Sequence, residues 1–113
     1  MQLNREDIIK KAQKYADLIR QYVDAEKIVL YGSFAKGNGD DNSDIDIAII
    51  VNSIDDDYLS VSALLNRLTR NVDFRIEPVL LDANDDRSGF LSSVLLTGII
   101  LYDKNQTTKS VEA

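Results

Sequence analysis

The sequence has no cysteine, no histidine, a single proline and no apolar run near the roughly 18 residues of a membrane span. Without thiols there can be neither disulfides nor thiolate metal sites. Without imidazoles there can be no Ser-His-Asp or Cys-His machinery and no imidazole-bound zinc. Chemistry must rest on carboxylates, hydroxyls, lysine, arginine and a bound metal. Oxygen-only ligands favour Mg²⁺, Mn²⁺ or Ca²⁺, with Mg²⁺ first. Basic side chains are also in the minority, 13 against 19 acidic, for a net charge of −6. Affinity for a nucleic-acid backbone comes mainly from Lys and Arg, so nucleic acid is not expected as the main partner. A small nucleotide escorted by its own cations stays compatible. With no basic-then-apolar start of the signal-peptide kind, the chain reads as cytoplasmic, with no membrane partner.

A length of 113 residues suits one domain with one two-layer core. Residues 4–22 read as an amphipathic helix with Ile8, Ala12, Tyr15, Ile19 and Tyr22 on one stripe, Asn4 as cap and Glu6 and Asp7 in the first turn. A short strand is expected at 27–31. A Gly-Ser turn, a helical turn at Phe34-Ala35-Lys36 and a polar, flexible loop containing Gly37, Gly39, Asp40, Asp41 and Asn42 follow. A second strand runs from about Asp44 to Asn52, with Asp44, Asp46, Ala48 and Ile50 on one face and Ile45, Ile47, Ile49 and Val51 on the other. The acidic turn Asp55-Asp56-Asp57 leads to a helix at 57–69 carrying Leu59, Ala63, Leu64, Leu65 and Leu68. A third strand, Val72 to Leu81, places Asp73, Arg75 and Glu77 on one face and Val72, Phe74 and Ile76 on the other. Pro78 suits an edge position or a bend. A helix at 88–97, with Phe90, Leu91, Val94 and Leu95 inward, and an apolar strand at 99–102 complete residues 1–103. Residues 104–113 lack apolar periodicity and read as a disordered tail.

The most informative stretch is Gly32 to Asp46, GSFAKGNGDDNSDID. The turn Gly32-Ser33 follows one apolar run, and after ten intervening residues Asp44 and Asp46 open the next. Side chains two apart on a strand share a face, so the two carboxylates stand together at a strand entrance. That arrangement suits a divalent cation. The turn can offer backbone N–H groups and a hydroxyl to a phosphate. A nucleoside triphosphate held by metal ions follows as the expected ligand. Nucleotidyl transfer uses two Mg²⁺ about 3.5–4 Å apart, and two carboxylates hold such a pair poorly. A third acid is therefore expected on the neighbouring strand, with Asp73 and Glu77 as candidates. Arg75 between them either neutralises phosphate charge or pairs with both acids. Tyr31 and Phe34, flanking the turn, read as core.

The G-S, ten residues, D-x-D pattern between two strands resembles the nucleotidyltransferase superfamily that includes DNA polymerase β. The GSFAKG form and short length resemble its minimal nucleotidyltransferases, the MNT proteins, over about residues 27–102. The fold this implies is α/β (α+β), a small mixed sheet packed by helices on one face in a polymerase β-like core. By the same resemblance Gly32 and Ser33 hold the β- and γ-phosphates, Lys36 lies near the triphosphate, and Asp44 and Asp46 are metal ligands. Aligning the third acid on Glu77-Pro78-Val79-Leu80-Leu81 favours Glu77. A parallel pairing with matched strand starts would bring Asp73 nearer instead, and both stay candidates. A Glu where many relatives carry Asp is a departure that lengthens the reach.

The activity this implies is transfer of an NMP, with AMP from ATP foremost, to a hydroxyl of a protein or small-molecule acceptor with release of pyrophosphate. Two Mg²⁺ would assist, Mn²⁺ being an alternative. So small a core has little surface for an acceptor, so a second copy or another protein must contribute. The resemblance implies a HEPN-domain protein in a toxin–antitoxin pair. The rival reading is a nucleotide-binding or partner-neutralising module that keeps the fold without turnover.

Overall fold

A computed structural model describes residues 5–40, 42–54 and 57–106. The expected cap Asn4, loop residue Asp41, turn residues Asp55 and Asp56, and tail residues 107–113 lie outside the described residues.

The chain runs α1 (Arg5–Ile19), β1 (Lys27–Tyr31), α2 (Ser33–Lys36), β2 (Ile45–Val51), α3 (Tyr58–Leu68), a 3₁₀ turn (Thr69–Asn71), β3 (Ile76–Asp82), α4 (Phe90–Thr97) and β4 (Ile99–Asp103). The four strands form one mixed sheet in the order β3-β2-β1-β4. β1 pairs antiparallel with β2 and β4, and β3 runs parallel to β2. The parallel pair needs a crossover, which α3 supplies. Pro78 sits on the edge strand β3, where a residue without an N–H disrupts least.

The alternation along β2 sets the architecture. Ile45, Ile47 and Ile49 point into the larger core with Ile28 and Leu30 of β1, Ile8, Ala12, Tyr15, Ala16 and Ile19 of α1, and Leu65 and Leu68 of α3. Within it the Tyr15 hydroxyl donates to the Leu65 carbonyl at 2.7 Å, tying α1 to α3. Ala48 and Ile50 point the other way, against Val29 of β1 and Leu91 and Val94 of α4. The helices therefore do not all lie on one face, since α4 covers part of the opposite one. A one-residue slip of β2 would turn three buried isoleucines toward α4 and drive Asp46 into the larger core. The register is therefore strongly specified.

Several boundaries differ from the sequence reading for local reasons. α1 ends at Ile19 because the amides of Gln21 and Tyr22 reach only three residues back, and Tyr22 is exposed. The third strand starts at Ile76 rather than Val72. The Asp73 carboxylate accepts the Arg75 amide at 2.9 Å, and the Asp73 carbonyl accepts the Ile76 amide, closing a turn where alternation suggested a strand. Phe74 is consequently 85% exposed. Phe90 and Leu95, expected inward, are also exposed, and Leu59 and Ala63 of α3 face solvent. Lys104, assigned above to the tail, lies in a turn with Nζ 3.1 Å from Asp24 Oδ1 and 3.6 Å from Glu26 Oε2. Among the described residues no helix is long and apolar enough to cross a membrane.

Candidate active site

The site is built where β1 ends and β2 and β3 begin. Tyr31 lies opposite Asp46 across the antiparallel pair, and Asp46 lies opposite Glu77 across the parallel pair. Facing residues of neighbouring strands project to the same side, so all three lie on the α4 face. Asp44 enters one step before β2. The Ile45 amide donates to the Arg75 carbonyl at 3.0 Å, fixing the strand entrances together. Ahead of Asp44, Asp40 Oδ1 accepts the Asn42 amide at 2.9 Å and the Ser43 hydroxyl at 3.2 Å.

One carboxylate oxygen from each of Asp44, Asp46 and Glu77 lies within 4.8 Å of the other two. Such crowding is unfavourable for three anions. The Asp46 carboxyl is pushed above its ordinary range, first by burial, then by repulsion from Asp44 and Glu77. Glu77 is raised mainly by repulsion from Asp44, then by burial and a hydrogen bond with Asp44. The Tyr31 phenol is raised by burial and by the negative charge of Asp46 and Glu77. A divalent cation would relieve this strain, and three hard oxygen donors fit Mg²⁺ or Mn²⁺.

Gly32 explains how Asp46 comes so close to the turn. Its backbone, at φ 77° and ψ −151°, lies in a region essentially restricted to glycine. A Cβ at this position would overlap Asp46 Oδ2. Ser33 and Lys36, the first and last residues of α2, are exposed. Phe34 and Ala35 are buried beneath them, Phe34 as core as the sequence suggested. Arg5, which the sequence reading missed, holds the turn from α1. Its Nε donates to the Phe34 carbonyl at 3.3 Å and its Nη2 to the Ala35 carbonyl at 3.0 Å. No sequence signal marks it, because the contact joins residues about thirty positions apart.

Asp73 is not brought to the three carboxylates. Its side chain, 7% exposed, accepts Lys11 Nζ at 2.9 Å and Arg75 Nε and Nη2 at 3.1 and 2.9 Å. Those bonds, Arg75's foremost, hold its carboxyl well below the usual range. Arg75 thus pairs with Asp73. The parallel register supplies the reason: Asp46 faces Glu77, four residues beyond Asp73.

A family model described as "Polymerase beta, Nucleotidyltransferase" matches residues 13–107. A search of curated proteins finds no match. Among solved structures, a candidate nucleotidyltransferase from Sulfolobus solfataricus superposes with a TM-score of 0.66 at 18% identity, covering 90% of this chain and 86% of that one. A chain from the complex of tri-AMPylated Shewanella oneidensis HEPN toxin with MNT antitoxin gives 0.60 at 21% identity, covering 90% and 77%. A chain from a mutant toxin–antitoxin pair, MntA-HpeT, gives 0.56 at 23%, covering 95% and 79%. At these identities the three likenesses speak to the fold.

Proposed function

The chain belongs to the polymerase beta nucleotidyltransferase family, and on that premise we propose that it transfers an NMP, AMP from ATP foremost, to a hydroxyl of an acceptor. The observation that carries this reading is the convergence of Asp44, Asp46 and Glu77 on the α4 face. In it Asp44, Asp46 and Glu77 hold two divalent cations, Mg²⁺ or Mn²⁺. Bound there, the cations supply charge neutralisation and Lewis acidity to the reacting triphosphate.

The protein's own part is mostly positioning. Gly32 lets Asp46 approach the turn, and Arg5 braces α2 from behind. Ser33 offers its hydroxyl, and the Gly32-Ser33 backbone its amides, to the β- and γ-phosphate oxygens, with Lys36 nearby. The acceptor oxygen forms a bond to the α-phosphorus as the α–β bridging bond breaks, and pyrophosphate leaves. The acceptor proton passes to a carboxylate oxygen of Glu77, the acid nearest the acceptor side in this reading. Arg75 enters the reading as a support for Asp73 and the start of β3. A direct role in binding the triphosphate fits poorly with its bonds to Asp73.

The acceptor surface comes from a partner. The complex of a tri-AMPylated HEPN toxin with an MNT antitoxin, whose fold this chain shares, supports a HEPN-domain protein as partner and acceptor. The test is incubation with α-labelled ATP and Mg²⁺, alone and with a candidate partner. Label on the acceptor, pyrophosphate release, and loss of both in Asp46→Asn are expected. ATP binding with no transfer in any partner context would replace the enzyme with a nucleotide-binding module.

A further inference from the structure

Two aromatic rings on the carboxylate face are left over by the reading above. Tyr31 is half-buried opposite Asp46. Phe90, the first residue of α4, meets it edge to face, with ring centroids 5.5 Å apart and planes at 84°. Phe90 is 40% exposed although the neighbouring Leu91 and Val94 are buried. Its position is held independently of its own burial. The Leu91 amide donates to Asp86 Oδ1 at 2.8 Å and the Ser92 amide to Asp86 Oδ2 at 3.1 Å, locking the first turn of α4. A large apolar ring is therefore kept partly in water, on the only helix of the described residues that packs against this face, and braced by a tyrosine that borders the carboxylates.

Resting on the nucleotide-transfer reading, we propose that Tyr31 and Phe90 form the base-recognition wall of the site, Phe90 supplying the surface on which the nucleobase of the NTP packs. An exposed aromatic ring suits a flat base because stacking is strong and tolerant of base identity. The wall gives affinity for a nucleoside triphosphate over inorganic polyphosphate, with modest discrimination among bases. Tyr31 is a positioning residue that fixes the Phe90 ring. Pairing with a half-buried neighbour limits the freedom Phe90 would otherwise lose on binding.

The test compares two probes on the full chain by calorimetry in Mg²⁺: ATP, which carries a base, and tripolyphosphate, which does not. Phe90→Ala is expected to weaken ATP about tenfold or more, as loss of one base stack does, while tripolyphosphate stays within twofold. Phe90→Trp should restore ATP binding, and GTP should follow ATP through the series. Equal weakening of both probes in Phe90→Ala, or no change in either, would refute the wall and leave the transfer reading standing. Wild-type chain that binds neither probe would overturn that reading, and the wall with it. Circular dichroism of each variant guards against misfolding, and retained tripolyphosphate binding is itself a readout that an unfolded variant could not give.

Discussion

Replacing Gly32 with alanine separates two effects that the turn combines. The first is conformational. At φ 77° and ψ −151°, a residue with a Cβ is strained by about 1–3 kcal/mol. For a domain of this size each kcal/mol shifts the melting midpoint by roughly 4 °C, so a fall of about 4–13 °C is expected. The second effect is steric and local. The new methyl would overlap Asp46 Oδ2, so the carboxylate must swing away from Asp44 and Glu77 and the cation site opens. Gly37→Ala provides the control, since Gly37 also has a positive φ, 83°, but a Cβ there meets nothing within 4 Å. It should cost about 1–2 kcal/mol and leave the carboxylates untouched. The assay pairs thermal melts with Mn²⁺ titration followed by electron paramagnetic resonance. Gly32→Ala should weaken Mn²⁺ at least tenfold and Gly37→Ala less than twofold. Equal Mn²⁺ affinity in the two variants would refute the claim that Gly32 exists to admit Asp46.

Asp73→Asn should destabilise the fold without disturbing Mn²⁺ binding, because it leaves Lys11 and Arg75 with no carboxylate between them. The cost is about 3 kcal/mol, at the low end for a broken buried pair because Lys11 is 38% exposed. Asp73 has a depressed carboxyl pKa in the folded state, so its contribution is full above its unfolded value near pH 4 and fades as pH falls further. The melting gap between wild type and Asp73→Asn should therefore narrow below about pH 4. Asp46 and Glu77 carry the opposite sign: their raised values mean that the cation-free fold gains stability as pH drops from neutral through those values. Over the same window protons should displace the cation, so Mn²⁺ affinity should fall with pH; thermal melts and titrations from pH 7 to 4 check both slopes. A rise in Mn²⁺ affinity on acidification would contradict the crowded-carboxylate description.

The sequence spoke most clearly where one physical constraint fixed the answer. β1, the Gly-Ser turn and β2 were legible because Ile45, Ile47 and Ile49 demand a buried face, which sends Asp46 to the other side. Glu77 was a named candidate but not separable from Asp73. The run Val72 to Glu77 alternates like a strand, and only the Asp73 side chain, by accepting the Arg75 amide, reveals that its first part is a turn. The missing N–H of Pro78 suited an edge position or a bend, and β3 is an edge strand. The orientation of α4 was not legible. FLSSVLLT is apolar on several sides, so the pattern could not choose Leu91 and Val94 over Phe90 and Leu95, and only packing against Val29, Ala48 and Ile50 decides it. Arg5 and Lys11 were invisible for a related reason: each acts on residues distant in the chain.

The most direct measurement is a crystal structure of the full chain with Mn²⁺ and a non-hydrolysable ATP analogue, read by anomalous scattering. The account predicts manganese peaks bonded to Asp44, Asp46 and Glu77, with the triphosphate against Gly32 and Ser33. Manganese bound elsewhere, or a triphosphate bound with the three carboxylates holding no metal, would contradict it.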